Sequence, residues 1–164
     1  MLKKGITLAI VAVLCIGFSS CAIWRVWKSS TFESNNEPFF DATLTTKDFV
    51  FLQLEVTNKT NENIEIIWPK TNYIDASNAT NGGFMSGQEV YWEDKDKPIN
   101  PTIIFPNTKA VKNLYPSVLA DWRRRAWNHN WLPLGINGIS LTVKVGNQEI
   151  SRQMIINVVE ESRF

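Results

Sequence analysis

The sequence predicts a mostly β domain, built as an antiparallel β-sandwich. Apolar residues recur at every second position in several short stretches, which is the period of a strand with one buried face. Turns rich in Gly, Pro and Asn separate these stretches. Only one segment has the character of a helix. Together these observations predict about seven or eight short strands, with a barrel as the alternative.

Two strands are predicted from alternating stretches on either side of a polar turn at residues 58 to 63. The apolar positions are Val50, Leu52, Leu54 and Val56 before the turn, and Ile64, Ile66 and Trp68 after it. Pro69 ends the second stretch because proline has no N–H to give to a sheet. Weaker strands are expected at residues 73 to 75 and 89 to 92, with a loop between them and a solvated charged turn at residues 93 to 98.

The C-terminal half contains four further strand signals. Residues 102 to 105 and 110 to 115 are expected to pair across a turn that Pro106 begins. Residues 139 to 145 and 150 to 159 are expected to form a hairpin closed by Gly146 and Asn147. Met154, Ile156 and Val158 should lie on its buried face. Turns and strands of this number favour an immunoglobulin-like or related Greek-key sandwich.

One short helical insertion is expected at residues 117 to 127, since Pro116 and Ser117 suit a helix start. This segment and the residues after it carry the candidate partner-binding or ligand-binding side chains. They are Trp122, Arg123, Arg124, Arg125, Trp127 and Trp131. Guanidinium groups can grip phosphate or carboxylate, and indoles give large rigid contact area. The alternative is that the tryptophans pack on the sandwich while the arginines are solvated.

The N-terminal segment has the order of an export signal. Lys3 and Lys4 precede an apolar run over residues 5 to 18, and Ser19 and Ser20 precede Cys21. The residues Phe18-Ser19-Ser20-Cys21 resemble the lipobox of bacterial lipoproteins, although Phe18 stands where an aliphatic residue is usual. The resemblance covers about the first 22 residues. It implies cleavage before Cys21 and acylation of its sulfur.

Acylation at Cys21 would bury many methylenes, and two or more chains already anchor a protein stably. On that expectation the domain needs no membrane-binding surface of its own. In lipoproteins of this kind, Asp after the cysteine favours retention in the inner membrane. Ala22 therefore favours the outer membrane, if the organism has one. The alternative is an uncleaved signal anchor, because the uncharged stretch continues to Trp24 and approaches the length of a membrane span.

The expected organisation is a signal peptide at residues 1 to 20, a lipid anchor and tether at residues 21 to 38, and a β-sandwich domain at residues 39 to 164. The tether is predicted because residues 28 to 38 are polar and lack apolar periodicity. Trp24 and Trp27 suit either the membrane interface or the edge of the domain.

Charge and residue types argue against several functions. Loss of Lys3 and Lys4 reduces the 17 basic residues to 15 against 16 acidic ones, which does not suit nucleic-acid binding. His129 is the only histidine, and it lacks partners at metal-ligand spacing. No catalytic or cofactor motif is found in the sequence. We therefore expect no enzyme activity, cofactor or metal.

Two functions are compatible with these features. The first is a lipid-anchored structural or protein-interaction module of the cell envelope, with an envelope protein as its partner. The second is a lipoprotein that binds a small molecule or glycan near Trp122, Trp127 and Trp131, because indoles also stack on sugar faces.

Overall fold

A computed structural model describes residues 24–34, 37–86, 99–123 and 126–163 of the chain. Strands dominate these ranges, and no α-helix is found in them; two single 3-10 turns lie at Trp68–Lys70 and Ser117–Leu119. The strands are β1 (Trp24–Ser29), β2 (Phe32–Glu33), β3 (Phe40–Thr46), β4 (Leu52–Asn58), β5 (Ile64–Ile66), β6 (Asn72–Ile74), β7 (Phe84–Ser86), β8 (Thr102–Ile104), β9 (Lys109–Pro116), β10 (Ala120–Arg123), β11 (Ala126–His129), β12 (Gly135–Val145) and β13 (Gln148–Arg163).

Two antiparallel sheets form the body in a sandwich-like arrangement. The first has the order β1-β13-β12-β5-β8, with β6 paired to β12 beside β5. The second has the order β2-β3-β4-β9-β7, and β10 pairs only with β11. The prediction of a mostly β, antiparallel protein is confirmed, but the described residues hold thirteen strands, more than the seven or eight expected.

One apolar core lies between the two sheets, and the period-two alternation builds it. Phe40, Ala42 and Leu44 of β3 are buried at every second position, as are Leu52, Leu54 and Val56 of β4. The facing sheet adds side chains from β5, β12 and β13, including the predicted Met154, Ile156 and Val158. Burying one such side chain is worth about 1.5–3 kcal/mol, so the core dominates the stability of the fold.

The β12–β13 hairpin is the longest pairing and matches its prediction. Its register runs from Gly135 opposite Val158 to Val145 opposite Gln148, with Gly146 and Asn147 between the strands. Gly146 has φ +57°, which glycine adopts without steric cost. At about 3.4 Å per residue, the two ends of β12 lie about 34 Å apart.

The expected pairing of residues 102 to 105 with residues 110 to 115 is wrong. β8 pairs with β5 in the first sheet, and β9 pairs with β4 and β7 in the second. The turn itself is present, because the N–H of Thr108 donates to the carbonyl of Phe105 and Asn107 adopts φ +55°. The turn therefore leads the chain from one sheet to the other.

The expected helix at residues 117 to 127 is also wrong. One 3-10 turn ends at Leu119, and Ala120 returns to extended backbone with φ −77° and ψ 123°. A helix would use the Leu119 carbonyl for the N–H four residues later. Here that carbonyl accepts bonds from the Tyr115 hydroxyl (2.7 Å) and from the Asn130 side chain (3.0 Å). Strands β10 and β11 follow instead.

The expected tether contains two strands. β1 pairs with β13 from Trp24 opposite Arg163 to Ser29 opposite Val158, and β2 pairs with β3. Residues 28 and 29 belong to β1 and residues 32 and 33 to β2, within the segment expected to be a spacer. Sequence periodicity gave no sign of them because an edge strand needs only one partner. Strands β3 and β7 were not predicted either. The strand expected at residues 89 to 92 and the charged turn at residues 93 to 98 lie outside the described residues.

Candidate interaction site at the aromatic end of the sandwich

Three aromatic rings meet at the end of the sandwich where β12 begins. The ring centroids of Trp27 and Trp131 are 5.2 Å apart, and those of Phe49 and Trp131 are also 5.2 Å apart. Trp27 and Phe49 complete the triangle at 6.1 Å, and all three pairs have edge-on geometry. Such pairs contribute about 0.5–1.5 kcal/mol beyond the burial of their area. We call this cluster, with Leu134 beside it in sequence, the aromatic end.

Hydrogen bonds fix the loops that present these rings. The carboxylate of Asp48 accepts the N–H groups of Val50 (2.7 Å) and Phe51 (2.9 Å), which closes the turn around Phe49. The N–H of Leu132 donates to the carbonyl of Phe49 at 2.8 Å, and the indole N–H of Trp27 donates to the carbonyl of Leu132 at 3.2 Å. The loop after β3, the segment after β11 and strand β1 are therefore joined.

The aromatic end is apolar and accessible. Phe49 is 41% exposed, Trp131 is 55% exposed and Leu134 is 50% exposed. Trp27, by contrast, packs against the main core, to which the buried Leu132 belongs. One side of the cluster is thus anchored in the core while the other side faces outward. A rigid, exposed aromatic surface is typical of binding sites.

The β10–β11 hairpin adjoins this cluster at its base. Ala120 lies opposite His129, and Asn130 donates from its backbone N–H to the carbonyl of Leu119 at 3.3 Å. The register places Trp122 opposite Trp127 and Arg123 opposite Ala126. The structure describes only the backbone of these positions.

The structure therefore brings part of the predicted site together. Trp131 belongs to the aromatic end. The strand that carries Trp122 and Arg123 begins next to it, and the strand that carries Trp127 ends there. Arg124, Arg125 and Cys21 lie outside the described residues.

The sequence did not single out Phe49 or assign Trp27 to this site. Trp27 was expected either at the membrane interface or on the domain edge, and its side chain packs on the edge against the core. Phe49 lies in a loop directly before an alternating stretch. An aromatic residue in a loop gives no periodic signal in the sequence. The Asp48 side chain, two residues before Val50, was the local sign of a tight turn there.

The opposite end of the sandwich has two depressions of mixed lining, and the exposed Ile103 lines one of them. A depression of about 310 Å³ is lined by residues 37 to 39 and 148 to 152, and one of about 210 Å³ lies beside Gly146. In the larger one, Arg152 forms an ion pair with the buried carboxylate of Glu37, while Lys59 donates to the Glu37 carbonyl at 3.0 Å. Glu37 is therefore satisfied by structural contacts.

Two buried tyrosines have strongly altered acidity. Burial raises the pKa of Tyr115 to about 12, and burial together with the charge of Asp75 raises the pKa of Tyr73 to about 12. Tyr73 donates to the side-chain oxygen of Asn137 at 2.6 Å. Tyr115 links the 3-10 turn to the segment after the hairpin, since its hydroxyl contacts the carbonyls of Leu119 and Asn130. It is therefore a support for the candidate site.

The described ranges hold no group of three or more potential metal-ligating side chains. No helix there is long and apolar enough to cross a membrane. Comparison of the chain with protein-family models, with curated proteins and with solved structures finds no match.

Replacement of Tyr115 by Phe should change the response of stability to alkaline pH. A tyrosine whose pKa is about 12 when folded and 10 in its ordinary state stabilises the fold fully below pH 10, and that contribution is lost as the pH rises through 12. Near neutral pH, Tyr115→Phe should cost about 1 kcal/mol because a hydrogen bond to Leu119 is lost. Urea unfolding of the detergent-solubilised chain should then show a smaller further loss above pH 10 than in the wild type. Equal alkaline losses in both proteins would contradict this assignment.

Proposed function

We propose that this chain is a lipid-anchored lipoprotein of the cell envelope that acts as a non-enzymatic structural or protein-interaction module. Its anchor is the acylated Cys21, and its domain faces the periplasm or the cell exterior. Ala22 favours the outer membrane where one exists. The observation that carries the interaction role is the β10–β11 hairpin, whose strands hold Trp122, Arg123 and Trp127 and which is joined at its base to the rigid aromatic end.

The chemistry of this end supports protein recognition. The contacts of Trp131 with Trp27 and Phe49 fix the segment that follows the hairpin, so less conformational freedom is lost when a partner binds the hairpin. Positions 122 to 125 and 127 add arginine and tryptophan, which are the residue types that dominate binding energy at protein interfaces. We propose an envelope protein as the partner, and no nucleic acid. Within the sandwich-like architecture, we propose an immunoglobulin-like or related Greek-key connectivity.

The alternative function is binding of a small molecule or glycan through the Trp/Arg insertion. The exposed indole of Trp131 favours it, since a fixed aromatic face can stack on a sugar ring. A glycan would need hydrogen-bond donors beside the indole, and the arginines at positions 123 to 125 can supply them. Binding of a soluble glycan that Trp131→Ala abolishes, without any cross-linked protein, would favour this alternative.

The two cysteines of the chain provide a matched test of the anchor. Cys21→Ala should abolish incorporation of labelled fatty acid and leave an unprocessed precursor, because the sulfur that is acylated has been removed. Cys15→Ala should leave both acylation and cleavage intact. Intact mass of the wild type should correspond to a chain that begins at Cys21 with acyl groups. A wild-type mass that retains residues 1 to 20 would contradict the lipoprotein proposal.

The three arginines should determine capture of a protein partner. Arg123→Glu, Arg124→Glu and Arg125→Glu together should abolish cross-linking to the partner in intact cells. The new carboxylates would repel the acidic groups of the partner that the guanidinium groups bind. The matched control reverses three exposed lysines elsewhere, Lys70, Lys109 and Lys144. It makes the same change in charge and should retain the partner. A partner that survives the arginine reversal would show that the arginines do not bind it.

A further inference from the structure

Strand β1 begins directly after the apolar N-terminal run. The uncharged stretch reaches Trp24, which is also the first residue of β1. Only residues 22 and 23 separate Cys21 from this strand, so the anchor lies within about 10 Å of it. β1 is held to the domain by its pairing with β13, by the packing of Trp27 and by an ion pair of Arg25 with Glu160 at 3.1 Å. The domain therefore has no long spacer between it and the anchor.

The exposed apolar side chains of the aromatic end lie close to this point of attachment. Trp27 is four residues after residue 23, which corresponds to about 13 Å along an extended strand. Trp131 contacts Trp27 directly, and Phe49 contacts both. An amphipathic element at a membrane surface buries its apolar side about 5–10 Å into the boundary of headgroups and acyl chains. The aromatic end is thus within reach of a bilayer that holds the anchor.

The residue types at this end suit a lipid surface. Tryptophan is enriched at the membrane interface, where the ring sits at the level of the headgroups. Lys47 is exposed two residues before Phe49, and a cation near the surface is attracted to anionic lipids. Arg25 and Lys28 on β1 are also exposed, but they form ion pairs with Glu160 and Glu161. The match to the interface therefore rests on the exposed apolar side chains.

We propose that Phe49, Trp131 and Leu134 insert into the headgroup region of the bilayer that holds the N-terminal segment. The sandwich then stands on the membrane by its aromatic end, with the β12–β13 turn pointing away. This inference deepens the proposed function, because it requires the apolar run to be held in a bilayer, either through acylated Cys21 or as a span. The acylated anchor alone would hold the protein on the membrane. Because no long spacer follows it, the aromatic end nevertheless lies against the bilayer.

Photo-cross-linking in the native membrane tests this arrangement with the full chain. A benzophenone-bearing phenylalanine analogue replaces Phe49 or Trp131, so an aromatic ring is retained at each site. The matched control is Phe105, which is 63% exposed and follows β8 near the other end of the molecule. After irradiation, mass spectrometry identifies what has been joined to the chain. We expect phospholipid adducts at positions 49 and 131 in several-fold excess over position 105.

Each other outcome contradicts the inference in a distinct way. Protein adducts in place of phospholipid at positions 49 and 131 would assign the aromatic end to a protein partner or a second copy of the chain. Adduct yields equal to that at position 105, with the chain still in the membrane fraction, would overturn the inference and leave the proposed function standing. Loss of the wild-type chain from the membrane fraction after an alkaline carbonate wash would overturn both.

Discussion

The pairing of β1 with β13 is the interaction on which the arrangement of this protein depends. β1 is an edge strand with a single partner, and its register runs over the whole strand from Trp24 to Ser29. Its ion pairs are exposed and contribute at most about 1 kcal/mol each. The buried side of Trp27 contributes more, because it packs against the core and its indole N–H is bonded to Leu132. This pairing determines where the N-terminal segment leaves the domain.

β13 connects β1 to the rest of the first sheet. It pairs with β12 from Gln148 to Val158 and with β1 from Val158 to Arg163, so the longest strand runs from the end near Gly146 to the end where β1 begins. The aromatic rings, the base of the β10–β11 hairpin and the start of β12 all lie at that second end. The aromatic cluster is therefore at the end of the molecule where the N-terminal segment joins β1.

The sequence was sufficient where a strand has one buried face. The alternation in β4, β12 and β13 predicted both the strands and their buried residues, because the side-chain period of a strand is two. The sequence was insufficient where contacts between distant segments determine which sheet a strand joins or whether a helix forms. Nothing local shows that β8 and β9 belong to different sheets, or that Tyr115 and Asn130 bind the Leu119 carbonyl and prevent a helix. Trp131 was predicted as a candidate, but its contacts with Trp27 and Phe49 join segments far apart in the chain.

Hydrogen exchange of the β1 amides in the full-length, membrane-bound chain measures whether β1 stays paired with β13. We expect the β1 amides bonded to β13 to exchange as slowly as the amides of β13 that face them, since the same hydrogen-bonded ladder protects both strands. The slow phase should include residues on both sides of Trp27. Rapid exchange throughout β1 and in residues 159 to 163 of β13, with residues 148 to 158 still protected by β12, would show that the segment is a free spacer. The aromatic end would then no longer be held near the bilayer.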